Sequence, residues 1–334
     1  MYRIVTLSDA PPLTGLVFRT LVGAEDADAF LAVRRGCAVY DQVDPLSTTE
    51  SIPTRSQMAD ALAAALVAGQ ADRWLAVEVA GATVGFSRII SWPEDDGAWV
   101  YLSLGWLLPA WRGQGIGTAM LHWAEAHSRQ LAAAEHSGAR AELAANASST
   151  EYDAAALLKH EGYAVGYTVL EMGLDPAVAV SAAPLASGIE IHPVAPAHLP
   201  AIAASVIEAY QGEYEGGRFS SGNDPVAYAA ELAAPRFDPD LWQVAWDHDA
   251  VIAQVLTIIE QGRAEVFEVS VRPGWRRRGV GRALLTRAIL APRSRGVEII
   301  RLHTVADFPT RACDLYASVG FRVLKQFPRY RKSD

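Results

Sequence analysis

Two α/β (α+β) domains in tandem are what the sequence predicts, and three observations predict them. A strand, a basic glycine-containing turn and a helix follow one another in Glu265 to Leu285, EVFEVSVRPGWRRRGVGRALL, and the order returns around Trp111 to Leu121, WRGQGIGTAML. The pairs Pro109/Pro273, Trp111/Trp275, Arg112/Arg276, Gly115/Gly279 and Gly117/Gly281 share one offset of 164 residues (273 − 109 = 164). A repeat that long is a duplicated domain, not a solenoid. The chain has 334 residues, 51% of them hydrophobic and 20% charged. That is length and core for about two domains of roughly 150 residues each.

Taken in order, Met1 to Thr14 reads as a frayed leader and Leu16 to Val22 as a first strand. Glu25 to Val39 is a helical run, with Asp26 and Asp28 near its start, where the helix dipole favours negative charge. Asp41 to Thr54 is polar and turn-rich, and Gln57 to Ala68 is a second helix ended by Gly69. Trp74 to Val79 and Val84 to Ile90 form paired strands across Gly81, and Val100 to Leu108 is the fourth strand. A long helix over Gly117 to Ala134 follows, then a strand (Arg140 to Ala145), a helix (Tyr152 to His160) and a closing strand (Tyr167 to Leu174). Asp175 to Gly188, rich in Ala, Pro and Ser, reads as a linker. The expected division is therefore a domain over 1–175, a linker over 176–188 and a domain over 189–334.

The second copy opens with a strand (Ile189 to Val194) and a helix (His198 to Tyr210). Gln211 to Asp224 is Gly-rich and acidic, and Pro225 to Ala233 is helical. Leu241 to Trp246 and Val251 to Ile259 are strands on either side of Asp247-His248-Asp249. In the next strand Val266, Phe267, Val269 and Val271 supply the β-branched and aromatic residues, and Pro273 and Gly274 stop it. After the turn, Ala283, Leu284, Leu285, Ala288 and Ile289 recur at helical spacing. Val297 to His303 is a strand, Thr310 to Val319 a helix, and Phe321 to Tyr330 a last strand ahead of a basic tail.

The repeated turn is built for an anion. The first amides of a helix lack intrahelical partners, and the dipole puts partial positive charge there. Glycine lets a phosphate approach those amides, and arginines add attraction. A lone R-x-x-G-x-G reads equally as a basic surface turn capping an ordinary helix. Its recurrence at the same place in both halves favours the phosphate reading.

R-x-x-G-x-G between a strand ending V-x-P and a helix resembles the acetyl-CoA pyrophosphate loop of the GNAT superfamily of N-acetyltransferases. Leu315-Tyr316-Ala317-Ser318-Val319-Gly320-Phe321 resembles that family's late L-Y-x-x-x-G-F signature. The resemblance implies two tandem GNAT-like domains, each a mixed twisted sheet flanked by helices, with acetyl-CoA as co-substrate and no metal. The tandem arrangement is similar to that of the mycothiol synthases within the family. By the same resemblance Arg276, Arg277, Arg278, Gly279, Val280, Gly281 and Arg282 hold the pyrophosphate, and Val269, Ser270 and Val271 line the pantetheine arm. In the first half the matching residues are Arg112, Gly113, Gln114, Gly115, Ile116, Gly117 and Thr118.

Acetyl transfer to an amine needs a base for the amine and a proton for the leaving thiolate. The resemblance places the base at Glu265, eleven residues before Arg276 (276 − 265 = 11), and the acid at Tyr316. Strand alternation puts Glu265, Phe267, Val269 and Val271 on one face, where apolar neighbours would make the carboxylate a better base, and Glu268 on the other. Glu268 is the second candidate base, and His303, Asp307 and Glu208 are candidates for relay or acceptor contact. Asp307-Phe308-Pro309 stands where the family often carries an asparagine. In the first half Tyr101 replaces the glutamate and Leu158 the tyrosine, which implies a non-catalytic copy, with Tyr101 and Glu125 as a lesser route to chemistry.

The net charge of −9 argues against nucleic-acid binding and suits a cationic amine. Cys37 and Cys313 are the only cysteines and give neither a disulfide framework nor a metal cluster, which fits a reducing cytoplasm. There is no long apolar span and no signal-peptide pattern. The expected activity is transfer of acetyl to the primary amine of a small molecule by direct attack in a ternary complex. A non-enzymatic acyl-CoA-binding module and transfer of a longer acyl group are the competing readings.

Overall fold

The computed structural model describes residues 2–94, 96–210, 224–307 and 310–333. The chain divides into two compact units, Met1–Tyr167 with Phe327–Asp334, and Thr168–Gln326.

In the first unit, β1 (Ile4–Val5) and β2 (Leu16–Arg19) precede α1 (Ala27–Ala38) and α2 (Arg55–Val67). Residues 4 and 5 pair with Arg19 and Phe18, so the expected frayed leader contributes a strand. A Thr54/Gln57 capping box satisfies the first amides of α2. β3 (Trp74–Val79) and β4 (Ala82–Pro93) form a hairpin whose turn residues Ala80 and Gly81 have φ of 49° and 80°, the two positive angles of a type I′ turn. β5 (Trp99–Leu107), α3 (Ile116–Glu135) and β6 (Ala141–Asn146) form a crossover in which β5 and β6 run parallel. α4 (Tyr152–His160) and β7 (Ala164–Leu174) follow. Phe30 of α1 stacks on Phe86 of β4 with ring centroids 4.3 Å apart, which seats α1 and α2 on one face of the sheet. α3 covers the other face through Ile116, Ala119, Met120, Leu121 and Ala124.

The second unit repeats the plan with β8 (Glu190–Ile191), α5 (Leu199–Tyr210), α6 (Pro225–Leu232), β9 (Gln243–Asp247), β10 (Ala250–Glu260), β11 (Arg263–Val271), α7 (Val280–Ser294), β12 (Ile300–Val305), α8 (Ala312–Ser318) and β13 (Phe321–Ser333). β11 and β12 are parallel and the other described pairings antiparallel. α5 and α6 pack on one face through Leu199, Ile202 and Leu232, and α7 on the other through Val280, Leu284 and Ile289. Of the Gly-rich acidic stretch Gln211 to Asp224, only Asp224 falls within the described residues, and it caps α6.

The units do not follow the linear division of the chain. Residues 169–174 of β7 pair with β12 in the second unit, and residues 329–333 of β13 pair with β6 in the first. The basic tail is thus a strand: Arg331 meets Glu94 and Glu142, and Lys332 meets Glu125. The segment read as a linker belongs to the second unit. Arg287 of α7 donates to the Ala183 carbonyl at 2.6 Å and Arg293 to that of Val178 at 2.8 Å, and Thr286 accepts from the Ala183 amide.

One irregularity decides where side chains point. Opposite β10, Glu268 pairs with Leu256 but Val266 already pairs with Thr257, leaving Phe267 as the extra residue of a β-bulge. The bulge reverses the alternation. Val266, Val269 and Val271 all pack into the α7-side core. Glu268 bonds Tyr210 at the end of α5, and Glu265 bonds His303, whose neighbour Leu302 faces α7. Glu265 and Glu268 therefore share the α5 face, and strict alternation, which set Glu265 with Val269 and Val271, is corrected.

Candidate active site

The two turns are near copies. Each begins with one 3-10 turn (Pro109–Trp111, Pro273–Trp275) and ends on a glycine in the left-handed region at the helix N-cap, Gly115 at φ 84° and Gly279 at φ 78°. No side chain caps α3 or α7, which leaves their first amides to a ligand. A Cβ at Gly113 or Gly279 would meet nothing within 4 Å, so the turns are open above their backbones. Open glycine turns with uncapped amides fit a pyrophosphate.

The arginines divide by role. Arg112 and Arg276 face inward. Their Nε atoms donate to the carbonyls of Leu107 (2.9 Å) and Val271 (3.0 Å), tying turn to strand. Arg112 also makes a bidentate pair with Asp41, and Arg276 donates to Ala209. Arg278 lies over the Trp275 ring, Arg282 donates to the Ser318 carbonyl and Gln114 to that of Ala110. Arg277 is exposed with φ 62°, in the conformation that Gly113 holds in the first turn. Ile116 and Val280 are core residues, so only their main chain is open to a coenzyme.

Beyond the turns the parallel strands part. In the first unit the last β5–β6 pair is Ser103 with Ala145. A cavity of about 350 Å³ opens there, lined by Gly113, Gly115, Gly117, Thr118, Asn146 and Leu158 among others. In the second unit the last β11–β12 pair is Val266 with Leu302, and Val269, Ser270 and Val271 lie past it. Ser270 is buried and accepts from Gln254 Nε2. Tyr316 is buried on α8 at the helix position whose first-unit counterpart, Leu158, lines that cavity, and its ring meets Phe321 edge-on.

At the parting of β11 and β12 the second unit gathers charge. His303 Nδ1 lies 3.2 Å from Glu265 Oε1, and Nε2 lies 3.8 Å from Glu171 Oε2. Arg301 donates to Glu171 Oε1 at 2.7 Å, and Glu171 is wholly buried. Burial lowers the His303 pKa, but the Glu171 and Glu265 hydrogen bonds and charges outweigh it and push it up to about 9. Imidazolium is therefore its neutral-pH form. Three residues along, burial pushes Glu268 up to about 7 against the hydrogen bonds from Ser270 and Tyr210. Glu265 thus sits beside a cation rather than among apolar neighbours, and Glu268 is the desolvated carboxylate. Glu208 pairs with Arg272 at 3.2 Å, and Asp307 is exposed, with residues 308 and 309 outside the described residues.

The first unit lacks this array. Tyr101 is buried against α3, and Glu125 is engaged by Lys332 and Arg129. The opposite face of β5 and β6 presents Val100, Leu102 and Ala144. Glu171 and Arg301 escaped the sequence reading. They lie 130 residues apart (301 − 171 = 130) and meet only because β7 pairs with β12. The visible signal was a glutamate within a strand of Val, Leu and Met.

Residues 41–152 and 203–321 each match the model of the acetyltransferase (GNAT) family. The chain belongs to that family, and carries its domain twice. Two curated relatives are named mycothiol acetyltransferase. That of Clavibacter michiganensis subsp. michiganensis is 29% identical over 231 residues, 67% of this chain and 70% of that protein. That of Kineococcus radiotolerans is 34% identical over 138 residues, 41% of this chain but only 44% of that relative's length. Among solved structures, a GCN5-related N-acetyltransferase from Sphaerobacter thermophilus superposes with TM-score 0.76 at 21% identity, over 98% of this chain and 97% of that one. A tandem GNAT protein from the clavulanic acid biosynthesis pathway gives 0.63 at 16% identity, over 95% and 98%. At these identities the structural likeness is one of fold. Among the described residues no helix is long and apolar enough to cross a membrane.

Proposed function

We propose that this protein is an acetyl-CoA-dependent N-acetyltransferase that acetylates the primary amine of a small molecule, with the second unit as its catalytic half. The observation that carries the reading is the Arg301–Glu171–His303–Glu265 array at the parting of β11 and β12, which runs from the buried Arg301–Glu171 pair to the half-buried Glu265 on the strand that leads into the open phosphate turn. The names of the mycothiol acetyltransferase relatives support a small-molecule acceptor. Acetyl-CoA brings an activated acyl carbon, and Arg277 with the amides of Gly279 to Arg282 would hold its pyrophosphate. Glu171, fixed by Arg301, holds His303, and His303 holds Glu265 towards the acceptor side. Glu265 takes the ammonium proton, directly or through one water, and the freed nitrogen attacks the thioester carbon in the ternary complex. The C–N bond forms, the C–S bond breaks, Tyr316 supplies the thiolate's proton, and the nitrogen's surplus proton leaves as the amide forms and returns through solvent to Tyr316. The first unit serves as a non-catalytic partner domain in this reading, and the reducing cytoplasm as its setting.

The test is thiol release from acetyl-CoA over a panel of amino sugars, polyamines and cysteinyl conjugates, with products weighed by mass spectrometry. Glu265→Gln is expected to lower kcat by at least about 100-fold, the usual worth of a positioned base, and Tyr316→Phe by about tenfold or more. Full turnover in Glu265→Gln with loss in Glu268→Gln would transfer the base to Glu268, whose raised pKa is the one observation favouring it. Release of thiol by no amine, with acetyl-CoA still bound, would leave the binding-module reading.

A further inference from the structure

The first unit contains a second cavity, of about 400 Å³, that the proposed reaction does not use. It adjoins the cavity of the phosphate turn, with Asp41, Gly105, Trp106, Asn146 and Glu151 lining both. Three arginines from distant parts of the sequence line it: Arg34 on α1, Arg88 on β4 and Arg329 on the returning β13. Their hydrogen-bond and ring partners are neutral, while Glu151 attracts Arg34 and Arg329 and Glu50 attracts Arg34 from a distance. Arg34 donates to the carbonyls of Glu50 and Ser51 and lies over the Trp106 ring at 4.4 Å. Arg329 Nη1 lies 2.9 Å from the Asn146 side-chain amide, and donates to its oxygen when that amide is turned so that both its ends find partners. Arg88 lies over the Trp74 ring at 5.5 Å, and its buried Nε has no hydrogen-bond partner among the described residues.

Among the described residues none of the three makes an ion pair. Such a cluster is electrostatically disfavoured by itself. Burial lowers the pKa of all three, and Arg34 and Arg88 repel each other. A planar carboxylate matches the guanidinium fork and relieves both effects. The wall is not uniformly basic, however. Glu151 and Glu50 line the same cavity, and Asp41 there is held by Arg112. A dianion would meet those carboxylates, whereas a molecule with one carboxylate and one ammonium satisfies both signs. Trp74, Phe86 and Trp106 supply aromatic surface for its apolar part.

We infer that the first unit binds a small amino-acid-like zwitterion, its carboxylate on Arg34, Arg88 and Arg329 and its ammonium on Glu151. The site is a ligand chamber whether or not the second unit transfers acetyl groups, so its test omits acetyl-CoA. Titration calorimetry on the full chain would use L-phenylalanine and L-leucine, then 3-phenylpropionate and phenethylamine, each of which lacks one charge of L-phenylalanine. The expected result is binding of at least one amino acid, with each one-charge analogue at least tenfold weaker than L-phenylalanine. Arg88→Gln and, separately, Arg329→Gln are each expected to weaken amino-acid binding at least tenfold with the circular dichroism unchanged. The exposed Arg55→Gln should leave it alone. Two substitutions on different strands keep the test decisive if one fails to fold. Tighter binding of inorganic phosphate than of any amino acid, displacement of the amino acid by coenzyme A, or binding of neither amino acid would overturn the assignment.

Discussion

The strand ahead of the phosphate turn has the same length in the two units and differs in its pairing by one bulge. β5 pairs with β4 without interruption from Gly85–Leu107 to Pro93–Trp99, and Tyr101 falls on the α3 side, buried in the core. β11 carries the bulge at Phe267, so Glu265, at the matching sequence position, emerges on the side of α5. The face that a glutamate at this position reaches thus depends on register as well as identity: in an unbulged strand it would point into the core. The first unit keeps the turn and its cavity, and at the level of Tyr101 the face of β5 and β6 opposite α3 presents Val100, Leu102 and Ala144.

The sharpest attempt to break this comparison is Tyr101→Glu. Were sequence position enough, the change would give the first unit a base. On the register seen here it buries an unpaired carboxylate against Leu121 and Leu143. The expected outcome is destabilisation by at least about 3 kcal/mol, followed by denaturant titration, with no gain in thiol release. A stable variant with added turnover would show that the bulge does not matter.

The same pair of residues marks how much could be read in advance. The duplication, the turns and most elements were legible because glycine spacing, β-branched runs and helical periodicity are local signals. The orientation of Glu265 was not, because a bulge shows itself only against the partner strand. Nor was the partner set of His303, since Glu171 arrives on a strand assigned by order to the other domain. The exchange of β7 and β13 between units leaves no trace in the pattern of either strand. Tyr316 stood out by its motif, whereas Arg34, Arg88 and Arg329 share no spacing and meet only in three dimensions.

The charge array makes the second comparison. His303 carries a folded pKa of about 9, above its ordinary value. Its contribution to stability is therefore full below about pH 6.5 and is lost as pH rises through about 9, on the order of 3 kcal/mol in all. His122 in the first unit is also raised, by Glu161 first and then Asp9 against burial, and adds in the same direction. The difference between wild type and His303→Gln isolates the second unit. Denaturation midpoints from pH 6 to 10 should converge with increasing pH. Parallel curves would mean that His303 is not held as a cation.

The turns offer a smaller effect with opposite signatures in the two units. Gly115→Ala and Gly279→Ala both force a side chain into the left-handed region, at about 1 kcal/mol of stability each. Only Gly279→Ala is expected to raise the KM for acetyl-CoA, by about tenfold, because charged hydrogen bonds to the coenzyme are worth roughly 1.5 kcal/mol or more. Turnover in Gly115→Ala should stay within about twofold of wild type. Equal kinetic loss in both would make the first unit a working coenzyme site.

The smallest effect is expected where the turns differ most visibly, at Arg277 and Gly113. Both residues sit in the left-handed region, at φ 62° and 70°. A non-glycine residue there is strained by roughly 1–2 kcal/mol. Glycine at the same place gives the unfolded chain more freedom, which offsets about 0.4–1 kcal/mol of the relief. Arg277→Gly should therefore stabilise the protein by about 0–1.6 kcal/mol, which separates strain from binding in a way that the glycine substitutions cannot. What remains is the charge. An exposed guanidinium facing a phosphate is screened, so the KM for acetyl-CoA should rise only by about two- to fivefold at low ionic strength and converge with wild type as salt is added. An unchanged KM at all salt concentrations would mean that the second unit retains the strained arginine for something other than the coenzyme.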